Sequence, residues 1–161
     1  MIQLKLKNRK GQLNVNSKEV KDILRIRSDI DYVQDISNTI NQKNIMVFDC
    51  KLAESIFSKE LALQIIEESS GEIDESFFEL FFEDVKAFLK DTTDEIEAEL
   101  QEVYLIDNIR CCSEIYSIND EFTDFKFVFV VSFEESTIAV LDNLAKIISK
   151  RQLAGESKFY C

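Results

Sequence analysis

The chain has 161 residues, with no histidine, no proline and only three glycines. Lacking histidine, it is without the commonest general base, the usual partner of Ser and Cys nucleophiles and the commonest transition-metal ligand. Triad hydrolases and ordinary zinc enzymes are therefore poor readings. Glycine is confined to Gly11, Gly71 and Gly155, so the sequence shows neither a glycine-rich phosphate loop nor a flexible linker. No apolar run approaches the roughly 20 residues of a membrane span. The opening Ile2-Gln3-Leu4-Lys5-Leu6-Lys7 alternates where a secretory signal would be continuously apolar. The four cysteines, Cys50, Cys111, Cys112 and Cys161, show no C-x-x-C spacing and read as reduced thiols in a cytoplasmic protein.

Hydrophobic residues make up 45% of the chain and charged residues 31%, a globular composition for one domain of ordinary size. The strongest structural signal is Phe125-Lys126-Phe127-Val128-Phe129-Val130-Val131-Ser132-Phe133. Period-two alternation puts Phe125, Phe127, Phe129, Val131 and Phe133 on one face and Val128 and Val130 on the other. This predicts a central strand, covered on both sides.

Around that strand the expectation is an α+β domain with a mainly antiparallel sheet. Residues Ile2, Leu4, Leu6 and Leu13, Val15 alternate about Asn8-Arg9-Lys10-Gly11, which predicts an N-terminal hairpin. Asn16 or Ser17 caps a helix through Val20, Ile23 and Leu24. The spacing of Ile30, Val33, Ile36 and Ile40 predicts that the helix resumes after a break near Ser28-Asp29. Ile45-Met46-Val47-Phe48 reads as a buried strand. A helix is expected from Leu52 to Ile66, stopped at Ser69-Ser70-Gly71. Ser76 with Glu79, and again Thr92 with Glu95, have capping-box spacing, so two further helices are expected. The first is phenylalanine-rich, with Phe77, Phe78, Phe81, Phe82 and Phe88 read as core; the second is a surface helix with a narrow apolar stripe. Alternation from Cys112 to Ile118 predicts a strand that pairs with the Phe strand. A final helix runs from Ser136 past Ile148, and Gly155 falls in a tail after it.

Charge is unevenly distributed in a chain of net −12. Residues 67–102 hold fourteen carboxylates against Lys86 and Lys90, whereas residues 1–30 carry eight basic groups against three acidic ones. The molecule is electrically two-ended. A concentrated acidic face suits docking onto a basic surface, where it speeds association and selects the partner. The residues expected to form it are Glu72, Glu75, Glu79, Glu83, Asp84, Asp91, Asp94, Glu95, Glu97 and Glu99.

Other chemistry is thin. Asp124-Phe125-Lys126 has the D-x-K form of metal-dependent nucleases, with Asp107, Glu114 or Asp120 as a second carboxylate, but so short a pattern arises by chance in a highly charged chain. The run Asp91 to Glu97 lacks the spacing and glycine of a calcium loop. Cys111-Cys112 reads as buried small hydrophobes. The basic start has no interleaved aromatic for base stacking, and the net charge opposes direct nucleic-acid binding. The sequence therefore leads to a non-enzymatic, cytoplasmic, protein-binding domain with no cofactor, metal or membrane partner. Its kind is an inhibitor that neutralises a basic, nucleic-acid-acting protein, as immunity proteins, antitoxins and phage anti-defence proteins do. The alternatives are a structural or regulatory subunit that self-associates as a homodimer through apolar surface and, third, a nuclease using Asp124 and Lys126.

Overall fold

The computed structural model describes residues 1–40, 42–53, 75–118, 124–135 and 137–157, apart from the side chains of 75–78 and 156–157. It is an α+β fold with two antiparallel sheets. Strands β1 (Gln3–Asn8) and β2 (Gly11–Asn16) form the N-terminal hairpin, in register from Gln3↔Asn16 to Asn8↔Gly11. Asn8 Oδ1 accepts the Lys10 N–H at 2.8 Å, and Gly11 takes φ +125°, a conformation that disfavours any side chain. Asn16 then caps helix α1 (Ser17–Arg25), its Oδ1 accepting the Glu19 N–H at 2.9 Å.

The residues expected to prolong that helix form strand β3 (Ile30–Asp35) instead, followed by a 3-10 turn at Ser37–Thr39. The i, i+3 spacing of Ile30 and Val33 misleads because the register against β4 slips between Ile30 and Tyr32. This bulge turns both side chains to the same buried face. β-branched and aromatic residues here also fit a pleated edge better than a helix.

Strands β4 (Ile45–Leu52), β5 (Arg110–Ile118) and β6 (Phe125–Ser132) complete a four-stranded sheet of order β3-β4-β6-β5. β6 is an inner strand and pairs with β5 as an antiparallel hairpin. The expected alternation in β5 fails at its end. A register shift between Ile115 and Ser117 puts Ile118 opposite Phe125, against the Phe-face core, and not beside Cys112 and Tyr116. Leu52 closes β4 instead of opening a helix, and Ala53 donates its N–H to Asp29 O at 2.9 Å. The rest of the helix expected over 52–66, and its Gly71 stop, lie outside the described residues.

Two helices cover the two faces. Helix α2 (Glu75–Tyr104) packs Phe81, Val85, Leu89, Ile96 and Leu100 with α1 and the hairpin against Phe125, Phe127 and Phe129. It is one helix of 30 residues, not two. With no glycine or proline across this span, nothing interrupts it, and Thr92 caps nothing. Thr93 Oγ1 donates to Leu89 O one turn back at 2.7 Å, and Thr92 Oγ1 donates to Asp29 Oδ2 at 3.4 Å. Helix α3 (Ile138–Ser157) sets Leu141, Ala145 and Ile148 on Val47, Val128 and Val130 of the opposite face, and Gly155 lies inside it instead of in a tail. Asp49 ties this helix to the sheet, accepting from Gln152 Nε2 at 3.0 Å and from the Tyr116 hydroxyl at 2.7 Å. No described helix is long and apolar enough to cross a membrane.

Candidate protein-docking face

The carboxylates of α2 are sorted by helical geometry. The helix turns 100° per residue, so a buried stripe at 81, 85, 89, 92, 93, 96 and 100 leaves the positions opposite it facing outward. Glu79, Glu83, Asp84, Asp91 and Asp94 are exposed on that outer side. Lys86 lies 3.8 Å from Glu83 and Lys90 lies 3.2 Å from Asp94, surface pairs worth little individually. Of the other residues expected on this face, Glu72 and the side chain of Glu75 lie outside the described residues.

Glu95, Glu97 and Glu99 have partners on other elements, Glu97 and Glu99 from half-buried positions and Glu95 from an exposed one. Arg27, at the end of α1, donates from Nε and Nη2 to the two carboxylate oxygens of Asp29 at 3.0 Å each. The same Nη2 donates to Glu95 Oε2 at 2.8 Å, and Nη1 is 3.9 Å from Glu99. The bond to Asp29 raises the Arg27 pKa most, and the bond to Glu95 adds to it, together outweighing the lowering by burial. Glu97 Oε1 accepts the Cys111 N–H at 2.9 Å, closing an outward-pointing donor on edge strand β5. Three of the ten carboxylates thus brace α2 to α1 and to the sheet. Sequence could not single out Arg27, because its partners are 2 and 68 residues away.

The D-x-K residues are also occupied. Asp124 lies 3.3 Å from Lys51 Nζ and 3.7 Å from Lys126 Nζ, the two lysines being opposite each other in the β4–β6 register. Two ammonium groups sit where a metal would approach. Asp107 is 80% exposed and 3.9 Å from Arg9, Glu114 stands opposite Val128 on β5, and Asp120 lies outside the described residues. Among the described residues no three His, Cys, Asp or Glu side chains converge as a metal site would require.

Cys111 and Cys112 point to opposite faces of β5, Cys111 into the Phe core and Cys112 into the α3 core. Burial pushes the Cys111 thiol well above its usual pKa, with the nearby Glu97 charge adding to the shift. Cys112 is pushed up to about 12, chiefly by burial and then by its Sγ–H bond to Asp142 Oδ1 at 2.9 Å. Neither is a thiolate at neutral pH, so neither has the form that attacks or ligates.

Comparison with protein-family models, with curated proteins and with solved structures finds no match. The functional reading therefore rests on these residues and their arrangement.

Proposed function

We propose that this chain is a non-enzymatic cytoplasmic inhibitor, of the immunity-protein, antitoxin or phage anti-defence kind. The outer face of α2 docks onto the basic surface of a nucleic-acid-acting protein. The observation that carries the reading is the separation of carboxylates on α2. Glu79, Glu83, Asp84, Asp91 and Asp94 face solvent with no hydrogen bond or ion pair to another element among the described residues, while Glu97 and Glu99 from half-buried positions and Glu95 from an exposed one are tied to Arg27 and to β5. A helix anchored along its length by Phe81, Leu89, Ile96 and Leu100 presents its charges at fixed spacing, so little ordering cost falls due on binding.

The test is affinity capture from the source cell, followed by titration of the captured partner at rising salt. Wild type, the triple variant Glu83→Lys, Asp84→Lys, Asp91→Lys and the brace variant Glu97→Gln would be compared. The complex should weaken with salt and be lost in the triple variant while persisting in Glu97→Gln. A tight complex indifferent to salt and to the triple reversal overturns the reading.

A second reading, self-association as a structural or regulatory subunit, is favoured by α3 more than by the Phe-rich segment, where Leu80 is exposed and Phe82 and Phe88 are half-buried. Phe81 is buried against Phe125, whereas Ile138, Val140, Ile147 and Leu153 of α3 are among the exposed large hydrophobics. Sedimentation velocity of wild type and Ile147→Asp decides it: a dimer lost in the variant supports this reading, and a monomer at high concentration removes it.

A further inference from the structure

The hairpin has two chemically distinct faces. Leu4, Leu6, Leu13 and Val15 pack on the core, while Gln3, Lys5, Lys7, Gln12 and Asn14 stand on the opposite, exposed face. Cross-strand register places Lys5 opposite Asn14 and Lys7 opposite Gln12, so two ammonium groups and three amides lie side by side with no carboxylate and no apolar residue among them. This face runs into a cleft of about 650 Å³ whose far wall is formed by Lys43, Asn44, Asn108 and Glu134. Among the described residues Lys5, Lys7 and Lys43 make no ion pair.

The carboxylates near this end have hydrogen-bond or ion-pair partners, and of these Glu134 lines the cleft itself. Glu134 accepts from Asn44 Nδ2, Asp107 is 3.9 Å from Arg9, and Glu19 accepts from Asn16 Nδ2 at 3.2 Å and from the Tyr104 hydroxyl at 3.4 Å. Both described non-glycine residues of positive φ also belong here: Asn44 (φ 60°) lines the cleft, and Leu105 (φ 56°) precedes its wall residue Ile106. A left-handed leucine costs roughly 1–2 kcal/mol and persists only where the surroundings fix it.

The net charge of −12 is unevenly spread, and residues 1–30 carry eight basic groups against three acidic ones. Asn8 donates to Tyr104 O at 2.7 Å, so the hairpin abuts the C-terminal end of α2. Glu102 is exposed two residues before Tyr104 and is the α2 carboxylate nearest the hairpin along the helix, whereas Asp91 and those before it are thirteen or more residues away, about 20 Å or more at 1.5 Å per residue and beyond the ~8 Å Debye length at physiological salt. The absence of an aromatic on the exposed face removes the stacking platform that single strands require. What is left is the chemistry of duplex recognition. The major groove of B-DNA admits a two-stranded β-ribbon, amide side chains pair with adenine edges, and lysines take guanine acceptors or phosphates.

We propose that the outer face of the hairpin, with Lys43 across the cleft, is a duplex-DNA-binding surface that presents Lys5, Lys7, Gln12 and Asn14 to the major groove. This is independent of the docking face on α2.

The experiment is fluorescence anisotropy of the full chain with a labelled 20-base-pair duplex, from 50 mM salt upward, beside the single strand of the same sequence. The duplex should bind saturably, in the 10⁻⁴–10⁻⁶ M range of non-specific complexes, and more tightly than the single strand. Each of Lys5→Ala, Lys7→Ala and Lys43→Ala should reduce the log–log salt slope by about 1. The triple variant should bind at least ~10-fold more weakly, and Lys86→Ala with Lys90→Ala on α2 should bind as wild type. These lysines are exposed, so the variants keep the fold; amide shifts of Gln12 and Asn14 on adding duplex give a second readout. No saturable binding at 50 mM salt, preference for the single strand, or unchanged affinity in the triple lysine variant overturns the proposal.

Discussion

Helices α2 and α3 lie on opposite faces of the same sheet, and they differ in what they bury and in what they show to solvent. Under α2 the sheet contributes Phe125, Phe127 and Phe129, and α1 and the hairpin share that core. Under α3 it contributes Val128, Val130 and Val47, met by one helix with Leu141, Ala145 and Ile148. Outward, the charges of α2 are mostly acidic, with Lys86 and Lys90 among them and Leu80 and Val103 exposed, whereas α3 exposes Val140 and Ile147 beside Lys146, Lys150 and Arg151. One strand whose two faces differ in side-chain size thus generates a thick core on one side and a thin one on the other. The helix above the thick core is the one held by an ion-pair network.

The sharpest way to break this comparison is to hollow out each side in turn. Phe127 and Val130 are both fully buried on β6. Phe127→Ala should cost about 3–5 kcal/mol, in the range for buried aromatics. Val130→Ala deletes the equivalent of two methylenes and should cost about 2 kcal/mol. Urea unfolding monitored by circular dichroism, with an unchanged m-value, measures both. Equal losses would mean that the two cores carry the fold equally.

A second test concerns the bracing. Arg27→Ala leaves Asp29, only 17% exposed, without its bidentate partner and releases Glu95 and Glu99. Leaving a poorly solvated carboxylate unpaired should cost about 2 kcal/mol by the same urea measurement. On the α3 side, Arg151 bonds Thr39 Oγ1 at 2.8 Å from an exposed position. Arg151→Ala should therefore stay within about 0.5 kcal/mol of wild type.

Acid should separate the two sides as well. Burial pulls the Asp35 pKa up, but hydrogen bonds from Ser17 Oγ and Ser37 N and the charge of the N-terminal amine outweigh it, so the net shift is downward. A carboxyl with a depressed folded pKa contributes stability above its unfolded value, near 3.9, and loses it as pH falls through the folded value. As pH falls below the unfolded value, hydrogen exchange should therefore quicken in the hairpin and α1 before it does in α3. Asp35→Asn should flatten that pH dependence, and an unchanged acid limb in the variant would assign the loss to other groups.

Legibility followed the same division. The Phe strand was readable because its alternation continues unbroken across nine residues and both faces are apolar, so the pattern alone implies an inner strand. The hairpin was readable because its turn chemistry and its alternation agree. What failed were places where an extra residue breaks the period: the bulge after Ile30 mimics helical spacing, and the one after Ile115 reverses the face of Ile118. Thr92 with Glu95 fits the capping-box spacing but sits in mid-helix, because such a box is a cap only where the preceding backbone is not already helical. Of the acidic face, the side of the helix was legible from its stripe. The inward ties of Glu95, Glu97 and Glu99 were not, since they depend on Arg27 and on the β5 edge, which only the fold brings near.

The smallest expected effect asks whether the acidic surface itself affects stability. Asp91 is exposed, with Asp94 and Glu95 three and four residues on along the same helix, the spacing at which like charges repel by a few tenths of a kcal/mol. Asp91→Lys removes that repulsion and adds an attraction of similar size, so it should stabilise the fold by about 0.3–0.5 kcal/mol at low salt, and by less at 0.5 M salt, where the Debye length is only about 4 Å. The inward-facing Glu97 provides the contrast. Glu97→Lys removes the acceptor of the Cys111 N–H and should cost about 1–2 kcal/mol with little salt dependence, because a hydrogen bond is lost and not a screened charge pair. Ile147→Lys on α3 replaces an exposed apolar residue and should fall within about 0.5 kcal/mol of wild type at either salt. If Asp91→Lys destabilised the fold and screening did not moderate the loss, the α2 carboxylates would be structural on both sides of the helix. A face retained for docking predicts the reverse: a surface that folds slightly better without its charges.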